Sequence, residues 1–121
     1  MQEDFVQRVH QCRSDPQRST QTQKCCYYIQ THLNEKITMQ VLSSYVGYAE
    51  IYLSRKFRQE MGITVTAYII RQKIELAKQL LRADNTPISD IAEQLCFSTQ
   101  SYFSEQFRRV TGLTPGEYRQ Q

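Results

Sequence analysis

From Cys25 onward the apolar residues return at helical spacing, and no segment alternates as a strand does. Cys25, Ile29 and Leu33 mark a first helix, which Asn34-Glu35-Lys36 breaks. Thr38 is placed to cap a short helix through Val46, with Val41, Leu42 and Tyr45 on its inner face. Gly47-Tyr48 reads as a turn. A helix from about Ala49 to Met61 follows and is stopped by Gly62. Thr64 caps a long helix through about Leu81, whose stripe is Tyr68, Ile70, Ile74, Ala77 and Leu81, with Leu80 beside it. Thr86 is a candidate cap for the next helix, with Pro87 at its first position and Ile88, Ile91, Ala92 and Leu95 facing inward. After the Cys96-Phe97 turn, Ser98 or Thr99 caps a helix through about Val110, which Gly112 ends. Thr114-Pro115 opens a last short turn through Tyr118.

Residues 1 to about 24 differ in kind. Phe5, Val6 and Val9 form one apolar stripe, and the polar run after them lacks periodicity. That composition reads as a linker or tail. A helical stub before a linker is what a chain cut from a longer protein would show.

The pattern also repeats. At a shift of 50 residues, Tyr52, Ser54, Phe57, Arg58, Gly62, Thr64 and Tyr68 fall on Tyr102, Ser104, Phe107, Arg108, Gly112, Thr114 and Tyr118. Upstream the match continues at a shift of 49, with Leu42-Ser43 over Ile91-Ala92 and Val46-Gly47-Tyr48 over Leu95-Cys96-Phe97. Two copies are too few for a solenoid. Each is a short helix, a tight turn and a second helix, which is the helix-turn-helix pattern. The small residues Ser43 and Ala92 let the paired helices cross closely, while Leu53 and Phe57, or Phe103 and Phe107, seal the second helix from below.

Composition narrows the function classes. At 121 residues and 40% hydrophobic, the chain is one domain's worth with a real core. It has no apolar run long enough for a membrane span and no secretory signal, so the expected location is the cytoplasm. Cys12, Cys25, Cys26 and Cys96 form no Cys-x-x-Cys pair, and His10 and His32 are not spaced with them as zinc ligands usually are. Reduced thiols, some buried as small hydrophobes, are expected, with no metal and no cofactor. No catalytic constellation or phosphate-binding glycine loop is present, so an enzyme is not expected. The net charge of +3 permits a polyanionic partner without requiring one.

The placement of the polar residues is more telling. With Ala49, Leu53 and Phe57 inward at 100° per residue, Ile51, Ser54, Arg55 and Arg58 face outward. In the second copy the same positions hold Ser101, Ser104, Glu105 and Arg108. Arg pairs bidentately with guanine, Ser serves base or phosphate, and Ile51 can touch a thymine methyl. Residues 64–81 as one helix span roughly 27 Å at about 1.5 Å per residue. Such a rod can hold two readers about one DNA turn, roughly 34 Å, apart, so that one chain could recognise a bipartite site of roughly 20 base pairs. The alternative is a helical protein-interaction module without DNA binding.

At these residues the chain strongly resembles the DNA-binding domain of AraC/XylS-type transcription regulators, over about residues 25–119. The most specific stretch is Ile88 to Arg119, closing on Gly-Leu-Thr-Pro-Gly-Glu-Tyr-Arg; Tyr52–Gly62 and Ile74–Leu81 match as well. The resemblance implies an all-α fold of seven helices, with two helix-turn-helix subdomains joined by a long linker helix. The corresponding division is 1–24 as linker or tail, 25–63 as the first unit, 64–82 as the linker helix and 83–121 as the second unit. The resemblance further implies base contacts from Ile51, Ser54, Arg55, Gln100, Ser101 and Glu105. Phosphate contacts are expected from Arg58, Ser104, Arg108 and Arg109. It implies a bacterial regulator, commonly an activator that touches RNA polymerase, with a sensor or receiver domain upstream. Three departures stand out. Cys96 replaces a usual Gly and predicts backbone strain, Ser43 replaces Ala, and Glu105 stands where Arg is common and predicts repulsion from phosphate unless it accepts from cytosine N4.

Overall fold

The computed structural model describes residues 19–121, and every described element is helical: α1 (Thr20–Thr31), α2 (Met39–Val46), α3 (Glu50–Met61), α4 (Val65–Ala83), α5 (Ile88–Gln94), α6 (Gln100–Thr111) and α7 (Pro115–Arg119). The stripe of Phe5, Val6 and Val9, together with His10 and Cys12, lies outside the described residues. The described chain separates into two compact units. One gathers 19–32 with Ile37–Tyr68, and the other gathers Leu33–Lys36 with Ile69–Gln121.

In the first unit, Cys25, Cys26, Ile29, Leu42, Leu53 and Phe57 are fully buried. Burying each large apolar side chain contributes about 1.5–3 kcal/mol, so these residues fix which face of each helix points inward. Helix α1 begins at Thr20, five residues before the expected start, because polar residues 20–24 carry two hidden supports. Ser19 caps the helix by accepting from the Thr22 backbone at 3.2 Å, and Thr22 is itself buried on the stripe continued by Cys25, Cys26 and Ile29. Ser19 is anchored in turn, its backbone N–H donating to Glu60 Oε1 at 2.7 Å. Thr38 caps α2 as expected, but the inner face of that helix is Leu42 and Val46. Val41 and Tyr45 are exposed instead, and Tyr45 leans on Tyr28 with ring centroids 4.9 Å apart. Gly47 then turns the chain in the left-handed region, at φ 84°.

Thr64 caps α4 through the Ala67 backbone at 3.0 Å. In the second unit, Ile74, Ala77 and Leu81 of α4 pack with Ile91, Ala92, Leu95, Phe103 and Phe107. Ile70, Leu80, Ile88 and Tyr118 lie partly buried against that core. Thr86 does not cap α5. Its backbone N–H donates to Asp84 Oδ1 at 2.9 Å and its hydroxyl is committed to the same oxygen, so Pro87 occupies the cap position without a side-chain bond. Thr99 rather than Ser98 caps α6, accepting from the Tyr102 backbone at 3.0 Å. Arg119 closes the fold by donating from Nε to the Leu81 carbonyl at 3.1 Å, one of the carbonyls that the end of α4 leaves without a helical partner.

One polar feature was not visible in the pattern. Lys73, on the inner side of α4 and only 5% exposed, donates to the carbonyls of Leu33 at 3.1 Å, Glu35 at 3.0 Å, and Leu95. Burial pushes its ammonium below the ordinary lysine value. Cys96 is the sole described non-glycine residue with positive φ, at 60°, and its Sγ donates to the Asn34 carbonyl at 3.3 Å. The strain expected of this residue is therefore present. Cys25 and Cys26 are buried, and Cys96 is exposed.

Candidate nucleic-acid interface

Helix α3 is held by Leu53 and Phe57, both fully buried, and is ended by Gly62 in the left-handed region. That phase leaves Ile51, Ser54, Arg55 and Arg58 outward. All four are exposed, and Ile51 is 74% exposed, an unusual state for a large aliphatic side chain. The same four residues, with Met39 and Glu50, line one shallow open hollow. Arg58 also sits in the last turn of α3, where a cation is favoured by the helix dipole.

Helix α6 repeats the arrangement. Phe103 and Phe107 are fully buried and Gln106 nearly so. Gln100, Ser101, Glu105, Arg108 and Arg109 are exposed, whereas Ser104 is half-buried. Ser104, Glu105, Arg108 and Arg109 line a second hollow with Thr114. Glu105 is not an isolated anion, since its Oε2 lies 4.0 Å from Arg109 Nη2 one turn on. Both side chains are largely exposed, so the pair contributes at most about 1 kcal/mol. Its weight is in charge balance: Glu105 offsets one of the two arginines at the end of α6.

The structure thus brings Ile51, Ser54, Arg55 and Arg58 together on α3, and Ser104, Glu105, Arg108 and Arg109 on α6, with Ser104 less open than the rest; Gln100 and Ser101 are exposed on α6 but do not line its hollow. Met39, Glu50 and Thr114 border those hollows and were not among the expected contacts. Met39 and Glu50 open α2 and α3 just after their cap positions, and that placement was the signal available for them. Among the described residues no three His, Cys, Asp or Glu side chains are grouped to hold a metal ion, and no helix is long and apolar enough to cross a membrane.

A family model described as a helix-turn-helix domain matches residues 42–121, and solved AraC-type DNA-binding domains share the fold. The chain belongs to the AraC-type helix-turn-helix family. AraC-type domains of this kind are the DNA-binding parts of transcription regulators and not enzymes. Among relatives, the probable transcriptional regulator LumQ of Photobacterium leiognathi is 41% identical over 91 residues, covering 75% of this chain. The chain spans only 37% of LumQ's length. The C-terminal domain of AraT, a response regulator from Geobacillus stearothermophilus, aligns with a TM-score of 0.79 at 32% identity, over 84% of this chain and 85% of that one. A transcriptional regulator with an AraC-type DNA-binding domain from Chromobacterium violaceum aligns with a TM-score of 0.78 at 26% identity, over 84% and 90% of the two chains.

Proposed function

We propose that this AraC-type domain binds double-stranded DNA sequence-specifically, α3 and α6 each entering a major groove, as the DNA-binding part of a bacterial transcription regulator. The carrying observation is one outward face presented twice: Ile51, Ser54, Arg55 and Arg58 on α3, and Ser101, Ser104, Glu105 and Arg108 on α6, at equivalent positions after equivalent turns. Ile51, Ser54 and Arg55, with Gln100, Ser101 and Glu105, read base edges. Arg58, Ser104, Arg108 and Arg109 contact phosphates, which position the helices without reading sequence. Two like outward faces in one chain support readers in consecutive major grooves of one duplex. The family supports an activator that acts in the cytoplasm through RNA polymerase. The response-regulator relative supports a receiver domain upstream.

Selection of binding sites from random duplexes, followed by salt titration on the selected duplex, tests this. A bipartite site should emerge, and log K should fall linearly with log salt by about 0.9 per neutralised phosphate. Absence of binding to any duplex at low salt would sink the reading in favour of a protein-interaction module.

A further inference from the structure

Seven positions repeat between the units, and five of them have a reason already in view. The phenylalanines are buried, the glycines turn the chain in the left-handed region, the threonines cap helices, and the serines and arginines lie on the outer faces. A sixth pair packs on the phenylalanines: Tyr68 meets Phe57 edge-on at 5.5 Å, and Tyr118 meets Phe107 at 5.4 Å. The seventh pair, Tyr52 and Tyr102, is neither core nor cap. These rings are 47% and 39% exposed.

Each ring is braced from behind by the aromatic of the preceding turn, Tyr52 by Tyr48 at 4.6 Å and Tyr102 by Phe97 at 6.0 Å. That bracing uses the ring, and a phenylalanine would supply it equally, so it does not account for a hydroxyl kept in both copies. At 100° per residue Tyr52 stands about 100° from Ile51 and about 60° from Arg55, on the shoulder of the outward face; Tyr102 stands likewise beside Ser101 and Glu105. A helix seated in a groove about 12 Å wide points its outermost face at base edges and its shoulders at the phosphate walls. The residue one turn further on does not repeat, being Lys56 in one unit and the buried Gln106 in the other. The feature common to both shoulders is therefore a neutral donor on a braced ring.

We propose that the Tyr52 and Tyr102 hydroxyls each donate to a backbone phosphate, as positioning residues that set the seat of α3 and α6. This rests on the DNA-binding reading above. The test compares wild type with Tyr52→Phe, Tyr102→Phe and the double variant, on a duplex selected from a random pool and on an unrelated duplex, across a salt series, with melting temperatures. Each single change should weaken binding about 3–10-fold on both duplexes, the size of one hydrogen bond, and the double change should multiply the losses. The salt slope and the melting temperature should stay as in wild type, because neither a charge nor ring packing is removed. Binding by the double variant within about twofold of wild type, below the weakest such bond, would overturn the proposal. So would a loss confined to the selected duplex, which marks a base reader, or a loss that tracks a fall in melting temperature. Failure of wild type on every duplex would instead sink the DNA reading itself, and this proposal with it.

Discussion

Glu105 and Arg109 face each other at 4.0 Å, one turn apart on the exposed side of α6. Arg55, the counterpart of Glu105 on α3, lies exposed with Arg58 in the same hollow. The two outward faces are therefore built alike but charged differently. Arg55→Ala should cost about 1–3 kcal/mol on the selected duplex, the worth of a bidentate base contact. Glu105→Ala should cost less there. On unrelated duplexes it should strengthen binding at low salt, because Arg109 is freed for phosphate and a like charge is removed. Titration of both variants on both duplexes checks this, and a larger loss from Glu105→Ala on the selected site would reverse the ranking.

Cys96 holds a backbone conformation suited to glycine, with φ at 60°. In the first unit the corresponding residue is Gly47, at φ 84°. Left-handed backbone costs a residue with a side chain roughly 1–2 kcal/mol, and the sulfur bond to the Asn34 carbonyl returns part of that. Cys96→Gly should raise stability by about 0.5–1 kcal/mol, and Gly47→Ala should lower it by about as much or more. Urea unfolding of the two variants measures both signs.

Local signals carried most of the fold. Gly62, Gly112, Thr64, Thr99 and Thr114 act through bonds within a few residues of themselves, so their roles could be read from spacing alone. The outward faces were legible for the same reason, since buried Leu53, Phe57, Phe103 and Phe107 set the phase of α3 and α6. What escaped was settled by distant partners. The start of α1 depends on Glu60, 41 residues away from Ser19. The exposed face of α2 depends on Tyr28 receiving Tyr45. Thr86 read as a cap by residue type, but Asp84 had already taken its hydroxyl. Nothing in the spacing singles out Lys73, and only the assembled second unit shows the carbonyls that draw it inward.

Glu60 gives the first unit a pH dependence. Burial pushes its carboxyl up, but bonds from the Ser19 backbone, the Thr22 hydroxyl and Lys56 outweigh that and hold it below its ordinary value of 4.5. A carboxylate whose folded pKa is depressed adds stability above the unfolded pKa and loses it as pH falls through the folded one. Wild type should therefore lose stability relative to Glu60→Gln as pH drops below 4.5. At pH 7 the variant should be weaker by about 1–3 kcal/mol, the worth of hydrogen bonds to a charged group. Unfolding measured at several pH values compares the two, and a gap that stays constant down the series would show that Glu60 is not the titrating group.

Lys73 should be the costliest polar residue to remove. A methionine there fills the space of the stem but supplies no donor, leaving the carbonyls of Leu33, Glu35 and Leu95 without the ammonium they share. The Leu33 and Glu35 carbonyls lie just past the end of α1, where the helix offers them no partner of its own. The ammonium is disfavoured by its own burial, so its place in the fold is explained by these acceptors rather than by solvation. At roughly 1 kcal/mol for each bond lost, Lys73→Met should destabilise the domain by about 2–4 kcal/mol while leaving both outward faces unaltered. Urea unfolding reads the first effect and DNA affinity, measured well below the melting temperature, reads the second. A loss under about 0.5 kcal/mol would mean that water replaces the ammonium at all three carbonyls, and that the bonds, though present, do not hold the unit together.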